Sequence, residues 1–162
     1  MAEFANLFRW IHILSGAAWF GEVLLIVFVL VPSVTRLEAP TRASYVGTVF
    51  PRVFRVASMS VALVLLSGLG LNYALTGWRD IGAYIQSTPG LLVTVGGVLG
   101  LLLGLFHFVI EARIEKRVLK LVDQVEGPEL EKLMRYLRII PRVGLGILVL
   151  VFLSMMIAAR GF

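Results

Sequence analysis

No cysteine occurs among the 162 residues of this chain. Disulfides, thiolate metal sites, iron–sulfur clusters and covalently attached c-type haem are thereby excluded. Histidine is nearly as scarce, with two copies, and five methionines complete the stock of soft ligands. Charge is thin as well: 15% of the residues are Asp, Glu, Lys or Arg, against about 25% in ordinary soluble domains. No glycine-rich phosphate loop of the P-loop or dinucleotide kind is present, so direct use of ATP is not expected.

What the chain does have is apolar length. Hydrophobic residues make up 59% of it, and the mean hydropathy is strongly positive, which points to an integral membrane protein. About 20 apolar residues cross a bilayer core, and four stretches qualify, at about 10–34, 53–76, 90–110 and 143–159. The expected fold is therefore an all-α, four-transmembrane-helix bundle in one domain covering 1–162. The first stretch is too long for a signal peptide and has no A-x-A-like cleavage site, so it is expected to stay as a helix.

The net charge of +5 sets topology next to lipid headgroups and does not call for nucleic acid. Twelve of the 15 basic residues, from Arg36 to Arg55 and from Arg113 to Arg142, lie between spans one and two or between three and four; only Arg9, Arg79 and Arg160 lie on the opposite side. Both termini are then expected outside the cytoplasm, with the loop "TGWRDIGAYIQSTPG" beside them. The expected location is a bacterial or archaeal cytoplasmic (inner) membrane.

The third span is expected to run on past the bilayer over about 111–140 as a cytoplasmic helical hairpin. Ile114, Val118, Leu121, Val122 and Val125 line one side of the first arm, Gly127-Pro128 breaks it, and Leu130, Leu133, Met134 and Leu137 line the second. The two stripes would pack on each other, or offer a surface to a partner. Pro141 stands where the second arm would bend into span four.

Polar residues inside the spans are the candidates for function, because an ionisable group deep in a bilayer costs a few kcal/mol and faces protein or water. In "RWIHILSGAAWFGE" (9–22), His12, Ser15, Gly16, Trp19 and Glu22 fall on one helix stripe continued by Val23 and Ile26. His12 sits about one turn inside the outer boundary and Glu22 about 15 Å deeper. A carboxyl there is either a protonated group bonded to the neighbouring helix, at Ser60 or Ser67, or a proton or charge relay. In span three, Gly96, Gly100 and Gly104 form a doubled small-xxx-small face suited to close packing within the bundle or with a second copy or partner subunit. His107 and Glu111 continue that face. His12 and His107 do not suit one haem iron, since their spans run in opposite directions and their depths differ by about 15–20 Å. A haem or metal at His12 would instead draw on Met155 or Met156 of span four.

The spacing His12-x6-Trp19-x-Gly21 resembles the first helix of the copper-resistance D (CopD) family of small bacterial membrane proteins. The second span, "FRVASMSVALVLLSGLGLNYAL", is similar to that family's serine- and glycine-containing helix, and "PRVGLGILVLVFLSMMIAAR" to its closing helix. The resemblance implies copper transport or delivery across the inner membrane, with His12, Met155 and Met156 as an outer site and Met59 and His107 nearer the inner side. The first helix also resembles the HemJ class of protoporphyrinogen oxidases, which implies b-type haem with His12 as an axial ligand. The chain departs from that class where it has "VPSVTRL" in place of P-R-L-F-V-Y-H, and in having no lysine in span three.

Three functions follow as expectations: a CopD-like copper-handling protein, a b-type haem protein or haem-pathway oxidoreductase, and a non-catalytic subunit of a larger membrane complex. The expected site residues are His12, Met155 and Met156 for metal or haem and Glu22 for relay, with Trp19, His107 and Glu111 in support.

Overall fold

A computed structural model describes residues 2–121 and 128–160. The chain forms α1 (Ala2–Leu25), a π-helical turn (Ile26–Leu30), α2 (Val31–Val34), α3 (Ala39–Thr76), α4 (Ile81–Gln86), α5 (Thr88–Leu121) and α6 (Pro128–Arg160). Four helical stretches among these residues are long and apolar enough to cross a membrane: Glu3–Val34, Ala39–Thr76, Thr88–Ile114 and Glu131–Arg160. Two ends can be distinguished: a termini end, carrying α4 and both chain termini, and a basic end, carrying the connection at 35–38 and most of the arginines.

Glycines set the approach of the helices. Along α1 and α3, Gly70 faces Phe8, Gly68 faces His12 and Gly16 faces Val64. One number falls as the other rises, so the pair is antiparallel. The same holds for α5 and α6, where Gly96 faces Ser154 and Met155, Gly100 faces Val151, and Gly144 faces Leu103. The two pairs join where Gly104 of α5 receives Val61 and Leu65 of α3. Without hydrophobic drive inside lipid, close van der Waals contact of this kind is what holds helices together. All three glycines of the doubled motif are thus covered by helices of the same chain.

Two apolar clusters result. The first, midway along the bundle, comprises Trp19, Val61, Val64, Leu103 and Leu148. The second, at the basic end, joins Ile26, Val31 and Val34 to Val46, Phe50 and Phe54 of α3, Ile114 of α5 and Leu133, Met134 and Leu137 of α6. The π turn explains how α1 and α2 serve both clusters. Its wider winding, with Val31 N–H bonded to the Ile26 carbonyl, resets the helix register, so that Trp19 above it, Ile26 at its start and Val31 and Val34 below it all face inward.

Several expectations change. Helix α3 starts at Ala39, well before the apolar stretch at 53–76, and passes through Pro51. Ile114, Leu133, Met134 and Leu137 are buried as expected, yet they pack around Phe50 and Phe54 and not on one another alone. The side chains of Val118, Leu121 and Leu130, and residues Val122, Val125 and Gly127, lie outside the described part. Helix α6 continues through Pro141 without a break.

The remaining connection is short. Gly77 ends α3 in a left-handed conformation (φ +60°), which its missing Cβ permits. Asp80 then caps α4 by accepting the Ala83 N–H at 3.1 Å. Asn72 ties this turn to α3, donating to the Tyr84 hydroxyl at 3.2 Å and accepting the Trp78 indole N–H at 3.1 Å.

Candidate functional site: a half-buried serine–histidine–carboxylate cluster

The polar side chains of the bundle lie at two levels separated by the mid-bundle apolar cluster. Nearer the termini end, His12 Nδ1 donates to the Val64 carbonyl at 2.8 Å. Gly68 makes this possible: a Cβ there would lie 2.9 Å from His12 Cε1 and 3.1 Å from Nδ1. A carbonyl only accepts, so in the neutral ring the hydrogen sits on Nδ1 and Nε2 keeps its lone pair. Two buried serines share this level. Ser15 donates to the Ile11 carbonyl at 2.6 Å, and Ser67 donates to the Leu63 carbonyl at 2.5 Å. Met155 is turned to Gly96 of α5, while Met156 is 47% exposed on the outside of α6. His12 is turned to α3 through the Val64 carbonyl.

Between the levels stands Trp19, 4% exposed among Val61, Val64, Leu103 and Leu148. Its ring meets the His107 imidazole edge-on, with centroids 6.5 Å apart and planes at 71°.

Beneath it three helices bring polar groups together. The one-turn spacing of His107 and Glu111 on α5 aligns them, with Nε2 and Oε2 3.8 Å apart. The Ser58 hydroxyl of α3 enters between them: its Oγ is 3.0 Å from His107 Nε2, and it donates to Glu111 Oε2. A hydroxyl has one hydrogen to give, so with that hydrogen on the carboxylate the His107 Nε2–H donates to Ser58 Oγ. The third contributor is Glu22 of α1. Its carboxyl lies beside the Ala57 peptide and within electrostatic reach of Glu111, yet both oxygens are buried without a hydrogen-bond partner. The expected bond from Glu22 to Ser60 or Ser67 is not formed, because Ser67 bonds its own helix and Glu22 lies level with Ala57.

The two histidines are held apart. Their α3 partners, Val64 and Ser58, are six residues apart, about 9 Å of helix rise. Among the described residues no three His, Asp or Glu side chains converge as a metal-binding group. The chemistry available at the lower level is instead proton movement along hydrogen bonds.

Ser58 is the residue that the sequence did not single out. Serines 60 and 67 share the inward stripe of α3 with Ala57, Val61 and Val64, whereas Ser58 sits at its flank, toward α5. The signal pointing to it was on the other helix: an imidazole and a carboxylate one turn apart in an apolar span need a polar neighbour.

No protein-family model, curated protein or solved structure matches this chain.

Proposed function

We propose that this is a multi-pass protein of a bacterial or archaeal cytoplasmic membrane, both termini outside, that relays protons at Glu22, Ser58, His107 and Glu111. The observation that carries the proposal is the Ser58 hydroxyl bonded to both His107 and Glu111, inside a span where such groups are costly unless used. The twelve basic residues at the Glu111 end favour a cytoplasmic opening for the relay.

The relay balances as follows. With His107 as imidazolium and Glu111 as carboxylate, Nε2–H donates to Ser58 and Ser58 donates to Oε2. The Nε2 proton passes to Ser58 Oγ as the Ser58 proton passes to Glu111. Neutral His107 keeps its hydrogen on Nδ1, Glu111 becomes a carboxylic acid, and both hydrogen bonds reverse. Glu22, without a partner and within electrostatic reach of Glu111, is the next acceptor.

Infrared spectroscopy of the reconstituted protein at fixed pH, with temperature varied, tests this, because the transfer conserves the proton. In the wild type, the carboxylic C=O band is expected to grow as the imidazolium bands fade; in Ser58→Ala the two bands should change independently. Identical responses in both proteins would exclude the relay.

One observation favours a second function at the other level. His12, held through Nδ1 with Nε2 free, has the orientation that metal-ligating histidines take. It suits one ligand to copper or to b-type haem, with Met155 or Met156 of α6 as the candidate second ligand. Visible absorption and metal analysis of the purified protein test this. A Soret band, or bound copper, that disappears in His12→Ala would establish it.

A further inference from the structure

We infer that Trp19 is the barrier of this proton path: it closes the relay against the termini side, and its removal turns the protein into a proton leak through Ser58. The inference rests on the relay proposed above and concerns what limits it. Three observations support it.

First, the lower level is sealed only in part. His107 and Glu111 keep 17% and 20% of their side-chain surface exposed, whereas the Glu22 oxygens are sealed. Second, a compact apolar cluster separates this level from the termini side. Trp19 is 4%, Val61 0% and Leu148 2% exposed, with Leu103 and Val64 completing the layer. The Trp19 ring touches this layer and the relay together, through its edge contact with His107. Third, polar groups resume immediately beyond it. Ser15 lies one turn from Trp19 on α1, Ser67 two turns from Ser60 on α3, and His12 one turn further out; all three serines are buried. Apolar side chains block protons by excluding the water and hydroxyls that would carry them. A layer this small, flanked by hydroxyls and imidazoles, opens when its largest member is removed.

The test uses the full chain in liposomes containing a pH-sensitive dye, with an imposed pH gradient and valinomycin with potassium to clamp the voltage. Proton flux through Trp19→Ala should exceed that of the wild type by about tenfold or more, while Trp19→Phe, which keeps an aromatic plug, should stay near the wild type. Adding Ser58→Ala to Trp19→Ala should abolish the extra flux. The inference is overturned if Trp19→Ala is as tight as the wild type, or if its leak survives Ser58→Ala and so bypasses the relay. Should Trp19→Ala fail to fold, Leu103→Ala thins the same layer and carries the same two outcomes. Infrared coupling of His107 and Glu111 that is present while Trp19→Ala stays tight would remove the barrier alone. Loss of that coupling in the wild type would remove the relay itself.

Discussion

Glu22 and Gly68 show how much single residues decide in this bundle, and in opposite ways. The Glu22 carboxyl is buried without a partner, so it weakens the fold it sits in. Glu22→Gln keeps the shape and removes the ionisable group. It is expected to leave the detergent-solubilised protein at least as heat-stable as the wild type while removing the last proton acceptor of the relay; a clear drop in the circular-dichroism melting midpoint would contradict this. Gly68 does the reverse, since the fold depends on what it lacks. In Gly68→Ala the new methyl meets the His12 ring at 2.9 Å, and the ring cannot move aside without giving up Val64. The cost expected is about 1–3 kcal/mol, as for other overpacked sites, read as a lowered melting midpoint.

At the scale of the helix, spacing predicted which face turns inward but not what it meets. The stripe from His12 to Ile26 faces the bundle, with Ser15, Trp19 and Ile26 buried. The early part of α3 carries the same kind of signal, Ala43, Val46, Phe50 and Phe54 at helical spacing and all buried, but its arginines and Pro51 hid it from a search for apolar length. The π turn at Ile26–Leu30 left no local mark at all, because its register shift answers to packing at both ends. Adjacent glycines of α5 offer a test of which face does the packing. At Gly96 a Cβ would come 2.5 Å from Ser154 Oγ and 2.9 Å from Met155 Cε, while at Gly97 it meets nothing within 4 Å. Gly96→Ala should therefore destabilise the α5–α6 pair. Gly97→Ala should be neutral or stabilising by up to about 1 kcal/mol, the helix-propensity difference between the two residues. Denaturant titration of the two variants beside the wild type would check both, and equal effects would contradict the packing.

For the molecule as a whole, the absence of cysteine becomes a tool, since any introduced thiol is the only one present. Ser44 at the basic end and Ser87 beside α4 are both exposed. In intact cells an impermeant maleimide is expected to label Ser87→Cys and to spare Ser44→Cys until the membrane is opened. The opposite pattern would invert the proposed orientation, and with it the cytoplasmic opening of the relay.

The sequence by itself determined that the chain is helical, that four of its stretches are apolar enough to span a bilayer, and which residues lie inward on the first and third. Those properties follow from hydropathy and from the 3.6-residue period, and both are written locally along one helix. It also set His12 and His107 at different depths, because depth follows from counting residues along a span. Only the tertiary structure decided that Ser58 bridges His107 and Glu111, that Glu22 stands unpaired beside Ala57, and that Met155 turns to Gly96. Each of these depends on the rotation and register of one helix against another. That register is set by contacts between residues far apart in the chain, His12 on Gly68 and Gly104 under Val61 and Leu65 among them, which no pattern within a single helix records.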